Sequence, residues 1–146
     1  MTKIFVTLPV TDLERTKAYY TALGCSLNPL FSDENAACLV WSEDIYFMAG
    51  TREMFATLTD RAVVDPREGA SALLSLSRDS RAAVDAVVEA GLGAGGTAGE
   101  PQDLGFMYAR DLFDPDGNGV QFMYMEPAAV EQGPDAYATG QGAARS

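Results

Sequence analysis

The chain has 146 residues, 47% of them hydrophobic, and it carries 21 acidic against 10 basic side chains, which gives a formal net charge of −11. This length suits one domain, or two fused half-size modules, around a single core. The negative charge argues against nucleic acid and anionic membranes as partners, because both would be repelled. A neutral or cationic small molecule is the easier ligand.

The sequence contains no histidine. Its absence removes the commonest general base, the commonest transition-metal ligand and every Ser-His or Cys-His nucleophile arrangement. Cys25 and Cys38 form no CxxC pair and have no histidines with which to complete a zinc site, so we predict reduced thiols in a packed interior. No apolar run is long enough to cross a bilayer and no signal peptide is evident, so we expect a soluble, cytoplasmic protein with no membrane partner.

The first half of the chain predicts the order β-α-β-β-β. Residues 3–10 have the β-branched and aromatic composition that is typical of a strand. Residues 11–14 (TDLE) then form a capping box, in which Thr11 and Glu14 would cap a helix that ends at Gly24. Three short strands and a short helix are predicted to follow, over 26–31, 36–41, 45–49 and 51–60.

The second half repeats this order. Residues 71–77 predict a strand, and Asp79 and Ser80 open a helix whose valines form an apolar stripe that ends at Gly91. Further strands are predicted over 97–98, 106–113 and 120–125. A repeat of this length indicates a duplicated supersecondary unit whose halves share one core.

These elements predict four segments along the chain. Residues 1–62 would be the first module with its short helix, 63–70 a linker, and 71–127 the second module. Residues 128–146 are mostly Gly, Ala and polar residues without periodicity, so we predict a flexible C-terminal tail.

Residues 113–119 (FDPDGNG) have the composition of a tight turn, since Pro115 presets φ and Gly117 and Asn118 tolerate positive φ. Together with the duplicated order and residues 8–20 (LPVTDLERTKAYY), this turn resembles the vicinal oxygen chelate superfamily, which includes glyoxalase I, extradiol dioxygenases, methylmalonyl-CoA epimerase, and the bleomycin and fosfomycin resistance proteins. Residues 31–38 (FSDENAAC) and 105–108 (GFMY) look like a bacterial group of predicted lactoylglutathione lyases. The resemblance covers about residues 3–127.

The resemblance implies an α+β fold in which two tandem β-α-β-β-β modules form a cup-shaped mixed β-sheet with flanking helices. Metal-dependent members carry one His or Glu on the first and last strand of each module, pointing into the cup. Those positions fall at Phe5, Phe47, Leu73 (or Ala72) and Gln121. None is a His, Asp or Glu, so we expect no metal and no cofactor. Glyoxalase I chemistry, which needs a metal to stabilise an enediolate, is correspondingly disfavoured.

The candidate ligand-binding residues of the cup are aromatic, thioether and polar side chains near the predicted cup strands. Such a lining suits a flat or apolar ligand that is held by a few polar contacts. The alternative is that these side chains fill the cup as ordinary core. The predicted set is Phe5, Thr7, Trp41, Phe47, Leu73, Met107, Tyr108, Arg110, Gln121 and Met123.

Two functions compete. In the first, the chain is a metal-free binding protein similar to the bleomycin resistance proteins, a homodimer that holds a small cationic or aromatic ligand. In the second, it is a metal-independent or divalent-metal-dependent enzyme of lyase, isomerase or dioxygenase type. Tyr108, Arg110 or a carboxylate of Glu43, Asp44 or Asp111 would then act on a small carbonyl or aromatic substrate. An interaction or structural role is a third possibility, and the sequence favours binding.

Overall fold

The first module is a four-stranded mixed sheet with a helix against one face, in a computed structural model that describes residues 1–135. The strand order is β1-β4-β3-β2, with β1 parallel to β4 and the other neighbours antiparallel. A short 3-10 turn, Pro29–Phe31, replaces the end of the predicted second strand, because proline cannot donate to a ladder. The elements are β1 (Ile4–Val10), α1 (Leu13–Ala22), β2 (Ser26–Asn28), β3 (Ala36–Val40), β4 (Ile45–Thr51) and α2 (Arg52–Ala56).

The second module repeats this arrangement with shorter outer strands. Its order is β5-β9-β8-β6, with β5 parallel to β9 and β7 also paired to β8. The strand predicted over 71–77 is formed only at its end, and β7 was not predicted. The elements are β5 (Ser75–Ser77), α3 (Arg81–Gly93), β6 (Thr97–Ala98), β7 (Gln102–Asp103), β8 (Met107–Phe113), β9 (Gly119–Met125) and α4 (Pro127–Gln132).

The α+β class and the duplicated β-α-β-β-β order are confirmed, and the sheets are mixed as predicted. The expected single cup-shaped sheet is instead two sheets, because the edge strands β1 and β5 are not paired with each other in the described part of the chain. Over the described residues, the two sheets are therefore not joined into one closed sheet.

One core lies between the two sheets and their helices. Along β1 the inward residues are Leu8 and Val10, and along β9 they are Val120 and Phe122, which follows the two-residue period of a strand. Helices α1 and α3 contact each other and cover this side of the sheets. The opposite face of both sheets, which points away from α1 and α3, is called the cup face below.

The two longer helices, α1 and α3, are each capped at the start by a side chain, and the cap of α1 differs from the prediction. Ser80 caps α3, accepting from the Ala83 N–H, and that helix runs to Gly93 instead of Gly91. For α1 the N-cap is Asp12, which accepts from the Arg15 N–H. Thr11 was predicted to do this, but its hydroxyl is bonded to Asp116 of the second module.

Beyond β9 the chain turns back in helix α4, within the segment that was predicted to be a flexible tail. Proline at the first position suits a helix start, and Ala129 is buried. The rest of that prediction, residues 136–146, lies outside the described residues. No helix in the described part is both long and apolar enough to span a membrane. Cys25 and Cys38 are both buried free thiols.

Candidate functional site

The turn at residues 113–119 is held by the buried carboxylate of Asp114. One oxygen, Oδ1, accepts from the backbone N–H groups of Asp116 and Asn118, both at 2.9 Å. The other, Oδ2, accepts from the Tyr20 hydroxyl at 2.8 Å and from the Asn118 side-chain amide at 3.1 Å. Since Tyr20 lies on α1, this one carboxylate both shapes the turn and attaches it to the first module.

Asp116 and Asn118 extend the attachment to the end of β1. Asp116 Oδ1 accepts from the Thr11 hydroxyl at 2.7 Å, from the Thr11 N–H at 3.2 Å and from Arg15 Nη2 at 3.3 Å. The Asn118 amide donates to the Pro9 carbonyl at 3.0 Å. The turn is thus the joint between the modules, which gives its polar residues a structural role.

A cavity of about 560 Å³ opens beside this joint, between β1, the segment 66–74 and the facing ends of β8 and β9. Its walls are mainly aliphatic side chains and backbone, and within residues 1–135 Asp111 is the one charged residue in the lining. This size is within the range of small-molecule sites. The lining is formed by Val6, Thr7, Leu8, Pro66, Gly69, Ala70, Ser71, Ala72, Leu73, Leu74, Gln102, Asp111, Phe113, Gly117, Asn118, Gly119, Val120 and Gln121.

Three polar side chains form a row across one wall of the cavity and its edge. Gln121 is opposite Ser75 in the β5/β9 ladder and opposite Asp111 in the β8/β9 ladder. Its Oε1 accepts from the Ser75 hydroxyl at 3.1 Å, and its Nε2 donates to Asp111 Oδ1 at 3.3 Å. These bonds orient the Gln121 amide, and they leave Asp111 without a cationic partner among residues 1–135.

The structure brings Thr7, Leu73 and Gln121 of the predicted set together in the cavity lining. Phe5, Met107 and Met123 share the cup face, because they alternate with inward residues along their strands, but they lie outside the lining. Phe5 instead stacks on Tyr46 with ring centroids 4.7 Å apart and is 60% exposed.

The other four predicted residues, Trp41, Phe47, Tyr108 and Arg110, lie on the helix-covered face, not on the cup face. Trp41 packs edge-on against Phe47, with ring centroids 5.6 Å apart. The Tyr108 hydroxyl donates to Asp85 of α3 at 2.6 Å, and Arg110 Nη1 donates to the same oxygen at 3.0 Å. The prediction that these four side chains face the cup is therefore wrong. Because side chains alternate along a strand, an error of one position puts them on the opposite face of the sheet.

The pKa values of this outer cluster follow from its hydrogen bonds. The bond from Tyr108 lowers the pKa of the Asp85 carboxyl, and the same bond raises the pKa of the Tyr108 phenol. Both groups face α3 and are remote from the cup face, so their titration belongs to the packing of α3 on β8.

Lining residues that were absent from the predicted set include Asn118 and, apart from Leu73, the lining part of the segment 66–74; Ser75, at the cavity edge, was also not predicted. Asp111 had been considered as one of three acids near the cup strands, but not as a partner of Gln121. The hairpin register could have indicated that pair, since Phe113 opposite Gly119 places Asp111 opposite Gln121. Leu73 was predicted in the cup from the family resemblance, but nothing in the composition of the rest of 66–74 indicates that it lines a cavity.

The four positions at which a metal was considered carry few donor atoms. Phe5, Phe47 and Leu73 offer none, Phe47 lies on the opposite face, and Gln121 Oε1 already accepts from Ser75. Nowhere in residues 1–135 do three or more His, Cys, Asp or Glu side chains come together as a metal site. This donor set does not fit a divalent transition metal.

A family model described as bleomycin resistance protein-like N-terminal matches residues 2–42. No curated protein matches the chain. The family match covers β1, α1, β2 and β3, so it reports on the first module.

Solved structures match over most of the chain. A hypothetical protein, SA1046 from S. aureus, is 23% identical with a TM-score of 0.71, and the match covers 85% of this chain and 94% of that one. A glyoxalase/bleomycin resistance protein/dioxygenase family enzyme from Burkholderia phytofirmans PsJN is 19% identical with a TM-score of 0.68, covering 83% and 96%. A glyoxalase/bleomycin resistance protein from Albidiferax ferrireducens T118 is 25% identical with a TM-score of 0.61, covering 82% and 95%.

Proposed function

This chain has the fold of the vicinal oxygen chelate superfamily, and on that premise we propose that it is a metal-free protein that binds a small cationic ligand in the cavity beside Gln121. The fold by itself hosts many chemistries, so the site has to carry the proposal. The site supports binding through one charged group, one oriented amide and a large apolar wall.

Asp111 is the observation that carries this proposal. In the part of the chain that the structure describes, it is the one charged residue of the cavity lining, and its only side-chain partner is the neutral amide of Gln121. A carboxylate at an apolar wall is stabilised by a cation that approaches it, because the low local dielectric strengthens their attraction. The overall charge of −11 favours the approach of the same ligands.

Gln121 orients the carboxylate of Asp111. Because Ser75 donates to its oxygen, the amide nitrogen points to Asp111 Oδ1 and fixes that oxygen. The second Asp111 oxygen lies near Gly99, where a side chain would come within 3.7 Å of it. Asp111 makes no other side-chain hydrogen bond in the described residues and lines the cavity, and the aliphatic walls suit a flat hydrocarbon group.

The donor set favours a binding protein over the metal-dependent enzymes of this fold. A single carboxylate beside a neutral amide is not a ligand set for zinc, nickel or iron. Glyoxalase and dioxygenase chemistry would therefore lack the Lewis acid on which it depends.

The test compares a cationic aromatic probe, benzamidine, with its neutral isostere, benzamide, by calorimetric titration. We expect the wild type to bind benzamidine about tenfold more tightly, a difference of about 1.4 kcal/mol. Asp111→Asn should abolish this preference, because it removes the charge and keeps the shape. Glu34→Gln is the matched control, since it changes net charge equally at an exposed position outside the cavity.

Equal binding of the two probes by the wild type, or a preference that survives in Asp111→Asn, would contradict the proposal. Chemical conversion of a bound probe, detected by mass spectrometry, would favour the enzyme alternative. The homodimer and the cytoplasmic location stay predictions from the sequence.

A further inference from the structure

The outer edge of β1 carries backbone N–H and C=O groups that are not paired with another strand of the described chain. Ile4 N–H donates to the Asp44 carbonyl at 2.8 Å, which sets the phase of the parallel β1/β4 ladder. In such a ladder the bonded residues alternate, so Ile4, Val6 and Leu8 bond to β4. The N–H and C=O groups of Phe5 and Thr7 therefore point away from β4, at the outer edge of the sheet. Within residues 1–135 they have no hydrogen-bond partner.

The edge of the second sheet is open in the same way. Leu74 C=O accepts from Gln121 N–H at 2.8 Å, and Arg78 N–H donates to the Met123 carbonyl at 2.7 Å. Leu74, Leu76 and Arg78 thus bond to β9, and the backbone groups of Ser75 point away from it. These groups too have no backbone partner in the described residues.

The cavity lies between these two edges. Thr7 is in its lining on one side and Leu73 and Leu74 are on the other, and the strands do not pair across it. A row of free N–H and C=O groups is a template for another extended chain. The edge of β1 borders the cavity at Thr7, so an added strand could pair there.

We propose that the ligand of this cavity is a short, extended cationic peptide, which pairs as an added strand with the open backbone groups of Phe5 and Thr7 at the edge of β1 beside the cavity. This inference rests on the proposed function and adds the class of ligand to it. Backbone pairing with β1 supplies affinity, and a positive group against Asp111 supplies selectivity.

Charge identifies a peptide as the occupant in preference to a second copy of the chain. Edge pairing of two copies would bring together two molecules that each carry −11, which is unfavourable at low salt, where the repulsion is not screened. A lysine- or arginine-bearing peptide complements both this charge and Asp111.

Residue-resolved amide hydrogen exchange tests the pairing directly. In the free protein we expect slow exchange at Val6 and Leu8 and fast exchange at Phe5 and Thr7. Addition of acetyl-Val-Lys-Val-amide should slow Phe5 and Thr7 at least tenfold, whereas benzamidine, which cannot form a strand, should leave both unchanged. A peptide N-methylated at its central amides keeps the charge and should bind at least tenfold more weakly, because it cannot donate to the edge.

Three results would overturn the inference: unchanged Phe5 and Thr7 exchange with the peptide bound, equal affinity for the N-methylated peptide, or concentration-dependent protection in the free protein, which would mean that a second copy covers the edge. Failure of the proposed function would look different. Benzamidine would then show no Asp111-dependent binding, whatever the peptide does. Benzamidine binding that needs Asp111, without peptide protection of Phe5 and Thr7, would overturn this inference alone.

Discussion

Asp114 is a carboxylate that is 4% exposed, and burial raises its pKa above the ordinary value for an aspartate. Hydrogen bonds from Tyr20, Asn118 and the Asp116 N–H oppose this shift by stabilising the charged form. Because the folded pKa is still raised, the contribution of Asp114 to stability is largest when it is protonated and falls as pH rises through the folded pKa.

Tyr20→Phe should therefore destabilise the protein more at neutral pH than in acid. The substitution removes a donor to the charged carboxylate, which raises the Asp114 pKa further and costs about 1.5–3 kcal/mol of unfolding free energy at pH 7. At about pH 4 the carboxyl is partly protonated and the loss should shrink. Urea unfolding at both pH values measures the difference.

Tyr19→Phe is the control for this experiment. Tyr19 is the preceding residue, equally buried, and its hydroxyl has no hydrogen bond to any part of the chain that the structure describes. We expect a small loss that does not change with pH. Matching behaviour of the two variants would show that the Tyr20–Asp114 bond does not contribute to the joint.

The turn at residues 113–119 depends on Gly117 in two ways. Its φ is +96°, a conformation that side chains rarely adopt, and an added Cβ would come within 2.5 Å of Arg67 Cγ and 3.2 Å of Arg67 N. The Arg67 Nε–H also donates to the Asp116 carbonyl at 3.2 Å. The turn and the linker before β5 are therefore packed against each other.

Gly117→Ala should lower the unfolding free energy by about 2–4 kcal/mol, since strain and the displacement of Arg67 add. Gly105→Ala is the matched control, because Gly105 has φ of +81° but open space around its Cβ position. Its loss should be confined to strain, at about 1–2 kcal/mol. Thermal or urea unfolding of both variants tests this, and equal losses would mean that the contact with Arg67 carries no weight.

The order of elements could be predicted from the sequence because strand composition, caps and glycines act locally. The Thr11 cap could not, since its partner Asp116 is distant in sequence. Alternation along β4 separates Phe47 from Tyr46, but it does not say which of the two faces the helices. That choice depends on the packing of α1, and so Phe47, Trp41, Tyr108 and Arg110 were expected on the cup face.

The cavity was predictable only in part, for the same reason. Gln121 and Thr7 follow from strand alternation, and both line it. The segment 66–74 has no periodicity, and its position comes from contacts such as that of Arg67 with the turn. The local hairpin register places Asp111 opposite Gln121, but its place in the cavity lining depends on the distant segment 66–74.

At the scale of the whole molecule, the two modules share one core. The buried cluster includes Leu39 and Phe47 from the first module and Leu112 and Phe122 from the second. Trp41, the only tryptophan, contacts both Phe47 and Phe122, with ring centroids 5.6 and 5.9 Å away. Neither module can bury its apolar face without the other.

We therefore expect a single cooperative unfolding transition. Trp41 fluorescence reports contact between the modules and far-ultraviolet circular dichroism reports secondary structure, so their urea curves should coincide. Gly117→Ala should shift both curves together. A circular dichroism signal that persists after the Trp41 change would contradict the shared core and indicate modules that fold separately.

The bond between Thr11 and Asp116 joins residues 105 positions apart, and this has a consequence for the chain during synthesis. At about 5–20 residues per second, roughly 5–20 seconds separate the emergence of the two partners. During that interval Thr11, just before the first helix, lacks its partner Asp116. The first sheet also lacks the second module, which shares its apolar core. The first module is thus most exposed to misassociation before the second module has been synthesised. The turn at residues 113–119 is among the last parts to emerge, and its bonds then anchor the first module.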